Sequence, residues 1–244
     1  DIMPELIKLV YDGGHIMQSL FTAESEKVEK WTMAQRMYDY VKNNNLNRIK
    51  RIFPYLNHND LYKKILIDDN SFNYITLKEV SDDITKIIIL ELIEMCINPL
   101  KVKLIDYTAG VGGNVFSFSS QFQEITAIEK STLRASYLAN NLELYNIKNV
   151  KVINDCSIKY NENNVIYYSP TVFFFDPPWG DEWKKDLIDY KITFDNVKIE
   201  DFILNIYDKI ELMYNNYSFN NYNNKLIVLK LPKNYDVKYL YQNT

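Results

Sequence analysis

Val172-Phe-Phe-Phe-Asp-Pro-Pro-Trp179 is the stretch from which the fold of this chain can be inferred. Residues 172–175 are all aromatic or β-branched, which predicts a short strand buried on both faces, as in a parallel sheet. Asp176 ends this run, and two prolines cannot continue a hydrogen-bonded ladder, so the chain is expected to leave the sheet there. Ligands of open α/β sheets bind outside the carboxyl ends of the strands. The acid, the rigid turn and the tryptophan therefore predict a substrate site.

Strand and helix patterns alternate on both sides of this stretch. Such alternation predicts an α/β fold with a doubly wound, mostly parallel sheet and right-handed crossovers. The predicted strands are 102–107, 125–129, 150–154, 171–175 and 226–231, and the predicted helices are 115–122, 131–146 and 199–214. A complete seven-stranded sheet would need two more strands, so we expect either a short sheet edge or a chain cut from a longer protein.

The first part of the chain instead has apolar residues at three- and four-residue spacing, which predicts helices. We expect a helical, basic N-terminal extension over residues 1–79 and a second domain over residues 80–244. Between Glu26 and Lys64 there are nine Lys or Arg and four Asp or Glu, in a chain whose net charge is −4. This local excess fits either a patch that faces phosphates or a solvated helix face.

A polar connector is predicted at residues 68–79, immediately before the α/β region. Ser81 is expected to cap the helix that follows, because a serine hydroxyl can accept hydrogen bonds from the free N–H groups of a first turn. Pro99 is expected to end that helix near residue 98.

The composition argues against several classes of protein. The 244 residues contain two cysteines and two histidines, Cys96, Cys156, His15 and His58, which predict neither a disulfide framework nor a metal site. No apolar run is long enough to cross a membrane. We expect an intracellular protein of the nucleus or cytoplasm, including the case of a viral protein in its host cell.

A glycine-rich turn follows the first predicted strand of the α/β region. Gly110, Gly112 and Gly113 permit close approach of the backbone to a ligand, and they lack both the dinucleotide-binding spacing and a Walker lysine. Asp106 lies at the strand end, where a carboxylate could receive an ammonium group. Glu129, at the end of the next strand, is placed to bind ribose hydroxyls. These features favour a cofactor that carries an amino acid.

Three motifs together give the chain a specific resemblance. Asp106-x-x-Ala-Gly-Val-Gly-Gly-Asn114, Ala127-Ile-Glu129 and Pro177-Pro-Trp-Gly180 resemble the trimethylguanosine synthase family, over residues 72–231. The resemblance implies a Rossmann-like class I methyltransferase fold and S-adenosylmethionine as the cofactor. It also implies methylation of the exocyclic N2 amine of 7-methylguanosine in an RNA cap, so capped RNA is the expected partner.

The resemblance implies a role for each matching residue on the cofactor side. Glu129 would hold the ribose, and Asp155 would lie beside the adenine, although Asn154-Asp155 is also a favourable turn sequence. The residues implied to line the rest of the cofactor are Asp106, Ala109, Gly110, Gly112 and Asn114.

The substrate side is predicted to lie in and around the Pro-Pro-Trp turn. Asp176 and the Pro177 carbonyl could accept the two hydrogens of an exocyclic amine and so orient its nitrogen. Trp179, expected to be exposed in its polar turn, would stack on the methylated guanine, with a cation–π contribution of up to ~2 kcal/mol. Thr76 matches the threonine of a substrate-side segment in the family. Trp183 would border the same site or pack against the turn.

Some positions depart from the resembled family and keep other functions open. Asp176 stands where that family usually has Ser, Leu77 where it has Pro, and Asp181 where a second Gly is common. Asp-Pro-Pro-Trp is also similar to the motif of adenine N6 methyltransferases, which act on RNA or DNA. A third alternative is a cap- or RNA-binding module that retains the fold without catalysis.

Overall fold

The computed structural model describes residues 45–163, 171–180, 190–217 and 225–243. The chain divides into two compact units, residues 1–50 and residues 51–244. Residues 45–50, the described part of the first unit, are helical. A separate helical extension over residues 1–79 stays a prediction, because residues 1–44 lie outside the described part of the chain.

The described strands of the larger unit are β1 (Lys103–Asp106), β2 (Glu124–Ile128), β3 (Val150–Ile153), β4 (Thr171–Phe175), β5 (Thr193–Phe194), β6 (Val197–Lys198) and β7 (Lys225–Leu229). Five of them form a parallel sheet in the order β3-β2-β1-β4-β7. This order confirms the predicted α/β, Rossmann-like architecture. A separate antiparallel hairpin is formed by β5 and β6.

Helices connect the strands of the sheet. Ser131 precedes the helix after β2, and its hydroxyl accepts a hydrogen bond from Arg134 N at 3.4 Å, so it caps the helix that was predicted over residues 131–146. Besides the helical residues 45–52, the described helices are α1 (Asn59–Tyr62), α2 (Ser71–Tyr74), α3 (Lys78–Glu94), α4 (Val115–Ser119), α5 (Thr132–Leu144), α6 (Ser157–Asn163), α7 (Ile199–Tyr217) and α8 (Val237–Asn243), with a 3-10 helix at Pro99–Lys101. None of them is long and apolar enough to span a bilayer.

The beginning of α3 corrects the predicted cap at Ser81. Ser81 N donates to Leu77 O at 2.9 Å, so residue 81 lies one turn inside the helix. Its side chain is fully buried, and the hydroxyl donates to Asn114 O at 3.4 Å. The predicted connector 68–79 is also partly helical, because it contains α2.

Strand β4 lies between β1 and β7 and is buried along its whole length. Its side chains alternate between the two faces of the sheet. Phe175 stacks on Tyr107 on one face, with ring centroids 4.6 Å apart, and Phe174 meets Phe118 edge-on at 4.9 Å on the other. Full burial of each phenylalanine contributes about 2–3 kcal/mol. The aromatic strand therefore fixes the position of the turn that follows it.

Residues 51–77 pack against helix α5 through polar contacts. The buried amide of Asn141 accepts from Leu66 N at 2.8 Å and donates to Leu66 O at 2.9 Å. Arg134 donates two hydrogen bonds to the carboxylate of Asp68, at 3.1 and 3.2 Å. Burial alone would raise the pKa of Asp68, but the hydrogen bonds from Arg134 and Ser71 outweigh it and lower the pKa to about 2. This segment brings Thr76 to the edge of the sheet.

Asp68→Asn should lower the free energy of unfolding by about 1–2 kcal/mol at pH 7. The pKa of the folded protein lies below the ordinary value of 3.8, so the stabilisation is present above pH 4 and is lost as pH falls toward 2. Urea denaturation of wild type and variant at pH 7, 4 and 3 measures this difference. A difference that does not narrow at the lower pH values would contradict the assigned role.

Candidate functional site

Three carboxylates converge where the central strands end. β1, β2 and β4 run parallel and in register, so Asp106, Glu129 and Asp176 lie at the same edge of the sheet. Asp106 is buried, and its Oδ1 accepts from Thr108 N at 2.9 Å. Its Oδ2 is also buried and has no hydrogen-bond partner among the described residues. Burial, with smaller contributions from the charges of Asp176 and Glu129, raises the pKa of Asp106 to about 7, although the hydrogen bond from the Thr108 backbone opposes this rise.

The unsatisfied Asp106 oxygen provides a test of the cofactor that the sequence predicts. A buried carboxylate oxygen without a donor is costly, and an ammonium group would satisfy both its hydrogen-bonding capacity and its charge. S-adenosylmethionine carries such a group. Asp106 therefore fits the amino-acid portion of the predicted cofactor.

The glycine turn joins this carboxylate to Glu129. Gly110 has φ +55°, and its N–H donates to Glu129 Oε2 at 3.0 Å. Ala109 is buried, and its N–H donates to the backbone carbonyl of Ile128 at 3.0 Å. Both residues lie where a cofactor-lining turn was predicted.

Gly112 serves packing within the turn. It has φ +109°, and a Cβ there would approach Phe116 to 2.8 Å and Leu138 to 2.9 Å. A larger residue would require these two side chains to move and would be strained at this positive φ. Gly113 is equally constrained, because a Cβ would lie 2.7 Å from Ile75 and 3.1 Å from the backbone nitrogen of Thr76. The turn thus also fixes the Thr76 segment.

Glu129 is held in one orientation by backbone donors. Ser131 N donates to its Oε1 at 2.7 Å, and Gly110 occupies the other oxygen. Each oxygen retains a lone pair for a ligand hydroxyl, which fits the predicted ribose role. Asp155, beyond β3, is partly buried and accepts from Cys156 N at 2.7 Å. Asn154 donates to the backbone carbonyl of Glu129 at 2.9 Å and so links the two loops.

The carboxylate of Asp176 is held mainly through one oxygen. Lys230 Nζ donates to Asp176 Oδ2 at 2.7 Å, Thr76 Oγ1 donates to it at 3.0 Å, and Asn114 Nδ2 donates at 3.4 Å. The backbone N–H of Asp176 donates to Thr108 Oγ1 at 2.8 Å. Asn114, predicted on the cofactor side, and Thr76, predicted on the substrate side, therefore meet at one carboxylate.

Trp179 is more enclosed than its sequence context predicts. Its ring is partly buried, and Nε1–H donates to Lys230 O at 3.2 Å. Lys230 Nζ lies 5.4 Å from the ring centroid, and the Tyr190 hydroxyl donates to the Trp179 backbone carbonyl. Pro177 is buried and Pro178 is exposed. Trp183 lies outside the described residues.

Lys230 is the site residue that sequence reasoning missed. It follows the last residue of β7 directly, although the predicted strand ran through it to residue 231. A sequence signal was present, because Lys230 follows four apolar residues at a strand end, as Asp176 does.

Among the described residues there is no group of three His, Cys, Asp or Glu side chains that could hold a metal ion.

Comparison with known proteins agrees with this geometry. The family model described as RNA cap guanine-N2 methyltransferase matches residues 101–244. The chain is also similar to the uncharacterized protein L320 of Acanthamoeba polyphaga mimivirus. The two sequences are 33% identical over 219 residues, which cover 82% of this chain and 80% of that protein.

The chain also gives matches to solved structures, at low sequence identity and low TM-score. An rRNA methylase of Streptococcus thermophilus is 12% identical, with a TM-score of 0.34, and the match covers 51% of this chain and 63% of that one. The tRNA (m1A58) methyltransferase TrmI of Aquifex aeolicus is 18% identical, with a TM-score of 0.28, and the match covers 51% of each chain. The chain thus spans less than two thirds of either structure.

Binding of S-adenosylhomocysteine should weaken as pH falls below about 7. Asp106 must be ionised to pair with the ligand's ammonium, and its pKa is raised to about 7, so protonation competes with binding at lower pH. We expect the dissociation constant to rise up to tenfold per pH unit between pH 7 and 5, where the ammonium stays charged. Calorimetric titration measures it.

The matched control for this titration is Asp106→Asn. The amide cannot ionise, so binding should be about 10- to 100-fold weaker at pH 7.5 and nearly independent of pH. A wild-type affinity that stays constant from pH 5 to 7.5 would argue against an ammonium partner for Asp106.

Proposed function

The chain belongs to the RNA cap guanine-N2 methyltransferase family, and we propose that it methylates the exocyclic N2 amine of 7-methylguanosine in an RNA cap. S-adenosylmethionine is the methyl donor. The observation that carries the proposal is the fixed carboxylate of Asp176, which lies beside the Asp106 site and precedes Trp179. The mimivirus relative supports a virus-encoded protein, and the nucleus or cytoplasm of the host is the proposed place of action.

On the cofactor side, residues of this chain hold and orient the donor. The Asp106 carboxylate receives the ammonium, and Glu129 receives the ribose hydroxyls. Asp155 and the turn at Ala109, Gly110 and Gly112 border the remainder. When bound, S-adenosylmethionine supplies a methyl group on a positively charged sulfur.

On the substrate side, the chain must orient a weakly nucleophilic amine, because the lone pair of N2 is delocalised into the purine ring. Asp176 Oδ2 is occupied by three donors, so the other oxygen, Oδ1, is the proposed acceptor for one amine hydrogen. The carbonyl of Pro177 accepts the second. Fixing both hydrogens lowers the entropic cost of the attacking geometry without a covalent intermediate.

Trp179 provides a stacking surface for the methylated base. Hydrogen bonds at its indole N–H and its carbonyl hold the ring in place, so little conformational entropy is lost when a purine stacks on it. A cationic 7-methylguanine gains cation–π attraction of up to ~2 kcal/mol from the ring. The charge of Lys230, near the same ring, is offset by its ion pair with Asp176.

Thr76 supports the substrate side by donating to Asp176 at 3.0 Å.

The basic residues between Glu26 and Lys64 are proposed to contact the phosphates of the cap or the RNA. The basic residues within 45–64 belong to the part of the chain that the structure describes. Trp183 remains a predicted border of the site.

Adenine N6 methylation is the second candidate function, and the observation that favours it is the aspartate at position 176. A carboxylate next to Pro-Pro-Trp suits adenine N6 as well as guanine N2. A non-catalytic binding module is the third. Labelled methyl transfer to 7-methylguanosine-capped RNA, uncapped RNA and DNA separates the three: capped RNA should be the preferred acceptor. Preference for uncapped RNA or DNA would contradict the proposal, and absence of cofactor binding would favour the third.

Trp179→Ala should weaken binding of 7-methylguanosine diphosphate about 10- to 100-fold, because the stacking surface is lost. Affinity for S-adenosylhomocysteine should change less than threefold, as Trp179 lies on the substrate side. Fluorescence titration measures both ligands. Trp179→Phe is the matched control and should retain most of the cap affinity. Equal retention of both ligands by Trp179→Ala would contradict a cap-stacking role.

Asp176→Asn should lower turnover about 100-fold while leaving affinity for S-adenosylhomocysteine nearly unchanged. The amide keeps the shape of the side chain but loses the charge that Lys230 offsets and half of its acceptor capacity. Steady-state kinetics with capped RNA, together with thermal melting, measures the effect. Turnover close to that of the wild type would remove Asp176 from amine orientation.

A further inference from the structure

Lys230 lies at a junction of the site that no sequence motif identified. Its backbone N–H donates to Phe175 O at 2.8 Å, and its carbonyl accepts from Trp179 Nε1 at 3.2 Å. Leu229, the residue before it, pairs with Phe175 across the parallel ladder. The Cα of Lys230 is therefore anchored to the strand that ends at Asp176 and to the tryptophan that follows.

The ammonium of Lys230 organises the hydrogen bonds around Asp176. Lys230 Nζ donates to Asp176 Oδ2 at 2.7 Å and to Thr76 Oγ1 at 2.8 Å. Asn114 Nδ2 also donates to the threonine oxygen, at 3.3 Å. A hydroxyl has one hydrogen and two lone pairs, so with both lone pairs occupied the Thr76 hydrogen is directed to Asp176. The lysine thus orients the threonine as well as the carboxylate.

Charge balance gives the same residue a second effect. Asp106, Glu129 and Asp176 are close enough for the latter two charges to act on Asp106. Three carboxylates at one sheet edge repel one another in a medium of low dielectric constant. In the described part of the chain the ion pair of Asp176 is with Lys230, whose side chain is 23% exposed, against 14% for Asp176. Because both groups are largely shielded from water, solvent cannot replace the lysine.

We infer that Lys230 is a positioning residue for methyl transfer: it holds Asp176 Oδ2 and directs Oδ1 to the substrate amine. The inference rests on the proposed function only in that the acceptor is an exocyclic amine. It also accounts for an aspartate at a position where the resembled family usually has Ser. A hydroxyl needs no counter-charge, whereas a shielded carboxylate does.

The first test compares Lys230→Met and Lys230→Gln with the wild type, using a short 7-methylguanosine-capped RNA. Met removes the charge and the donors, whereas Gln keeps the donors. Turnover should fall about 100-fold for Met, with KM for the RNA and the dissociation constant of S-adenosylhomocysteine changed less than threefold. Lys230→Arg keeps the charge and should retain at least about one tenth of the turnover, although an arginine does not reproduce lysine geometry.

The control for folding is Lys225→Met, in the strand β7 that ends immediately before Lys230. Lys225 pairs with Thr171, at the opposite end of β7 from the site. Burial lowers the pKa of Lys225 to about 8, so this lysine, like Lys230, is partly shielded from water. Turnover and melting temperature should stay close to those of the wild type. If Lys230→Met does not fold, the Gln and Arg variants decide the question by the same kinetic readouts.

The second test is a double-mutant cycle in an Asp176→Ser background. A serine leaves no carboxylate for the lysine to hold, so Lys230→Met should change the turnover of this variant less than threefold. A purely structural lysine would instead slow both backgrounds by the same factor.

Three results would overturn the inference: unchanged turnover of Lys230→Met, parallel losses of turnover and ligand affinity, or equal losses in the Asp and Ser backgrounds. The cycle uses whichever acceptor the wild type methylates. Methylation of adenine instead of the cap would refute the proposed function and leave the role of Lys230 testable. A wild type that methylates no acceptor would contradict both.

Discussion

The convergence of three carboxylates at the carboxyl ends of the central strands is the constraint around which this site is arranged. Parallel strands end together, so Asp106, Glu129 and Asp176 are brought into electrostatic contact. The three carboxylates have different surroundings. Glu129 accepts hydrogen bonds from backbone N–H groups, and Asp176 forms an ion pair with Lys230. Asp106 is buried, and one of its oxygens has no hydrogen-bond partner in the described residues. We propose that a cationic group of the cofactor pairs with the unsatisfied carboxylate, and such pairing would couple the fold directly to cofactor binding.

The three acids also divide the site into a predicted cofactor side, with Asp106 and Glu129, and a predicted substrate side, with Asp176. Asn114 and Thr76 lie between them, because Asn114 donates to the Thr76 hydroxyl and both donate to Asp176. Gly113 has no room for a Cβ against Thr76, so the cofactor turn and the substrate segment pack without a gap. A methyl donor and a substrate amine bound on opposite sides of Asn114 and Thr76 would have little freedom to move apart, which is the entropic basis of catalysis by proximity.

Local patterns in the sequence were sufficient for the parts of the fold that depend on local physics. The buried run at Phe173–Phe175, the helix over residues 131–146 and the acids at the carboxyl ends of β1, β2 and β4 were all predictable from neighbouring residues. The Ser81 cap was wrong because tertiary packing begins the helix a turn earlier and buries that serine. Lys230 and Thr76 are 154 residues apart, and no periodicity links such positions. Long-range polar pairing is therefore where prediction from sequence stopped.

Identification of the methylated atom is the decisive experiment on this protein. Capped RNA treated with the enzyme and S-adenosylmethionine would be digested to nucleosides and analysed by mass spectrometry against standards. We expect the product to be 7-methylguanosine with one or two additional methyl groups on N2. Label recovered as N6-methyladenosine, or a cap that remains 7-methylguanosine while another nucleoside carries the methyl, would contradict it.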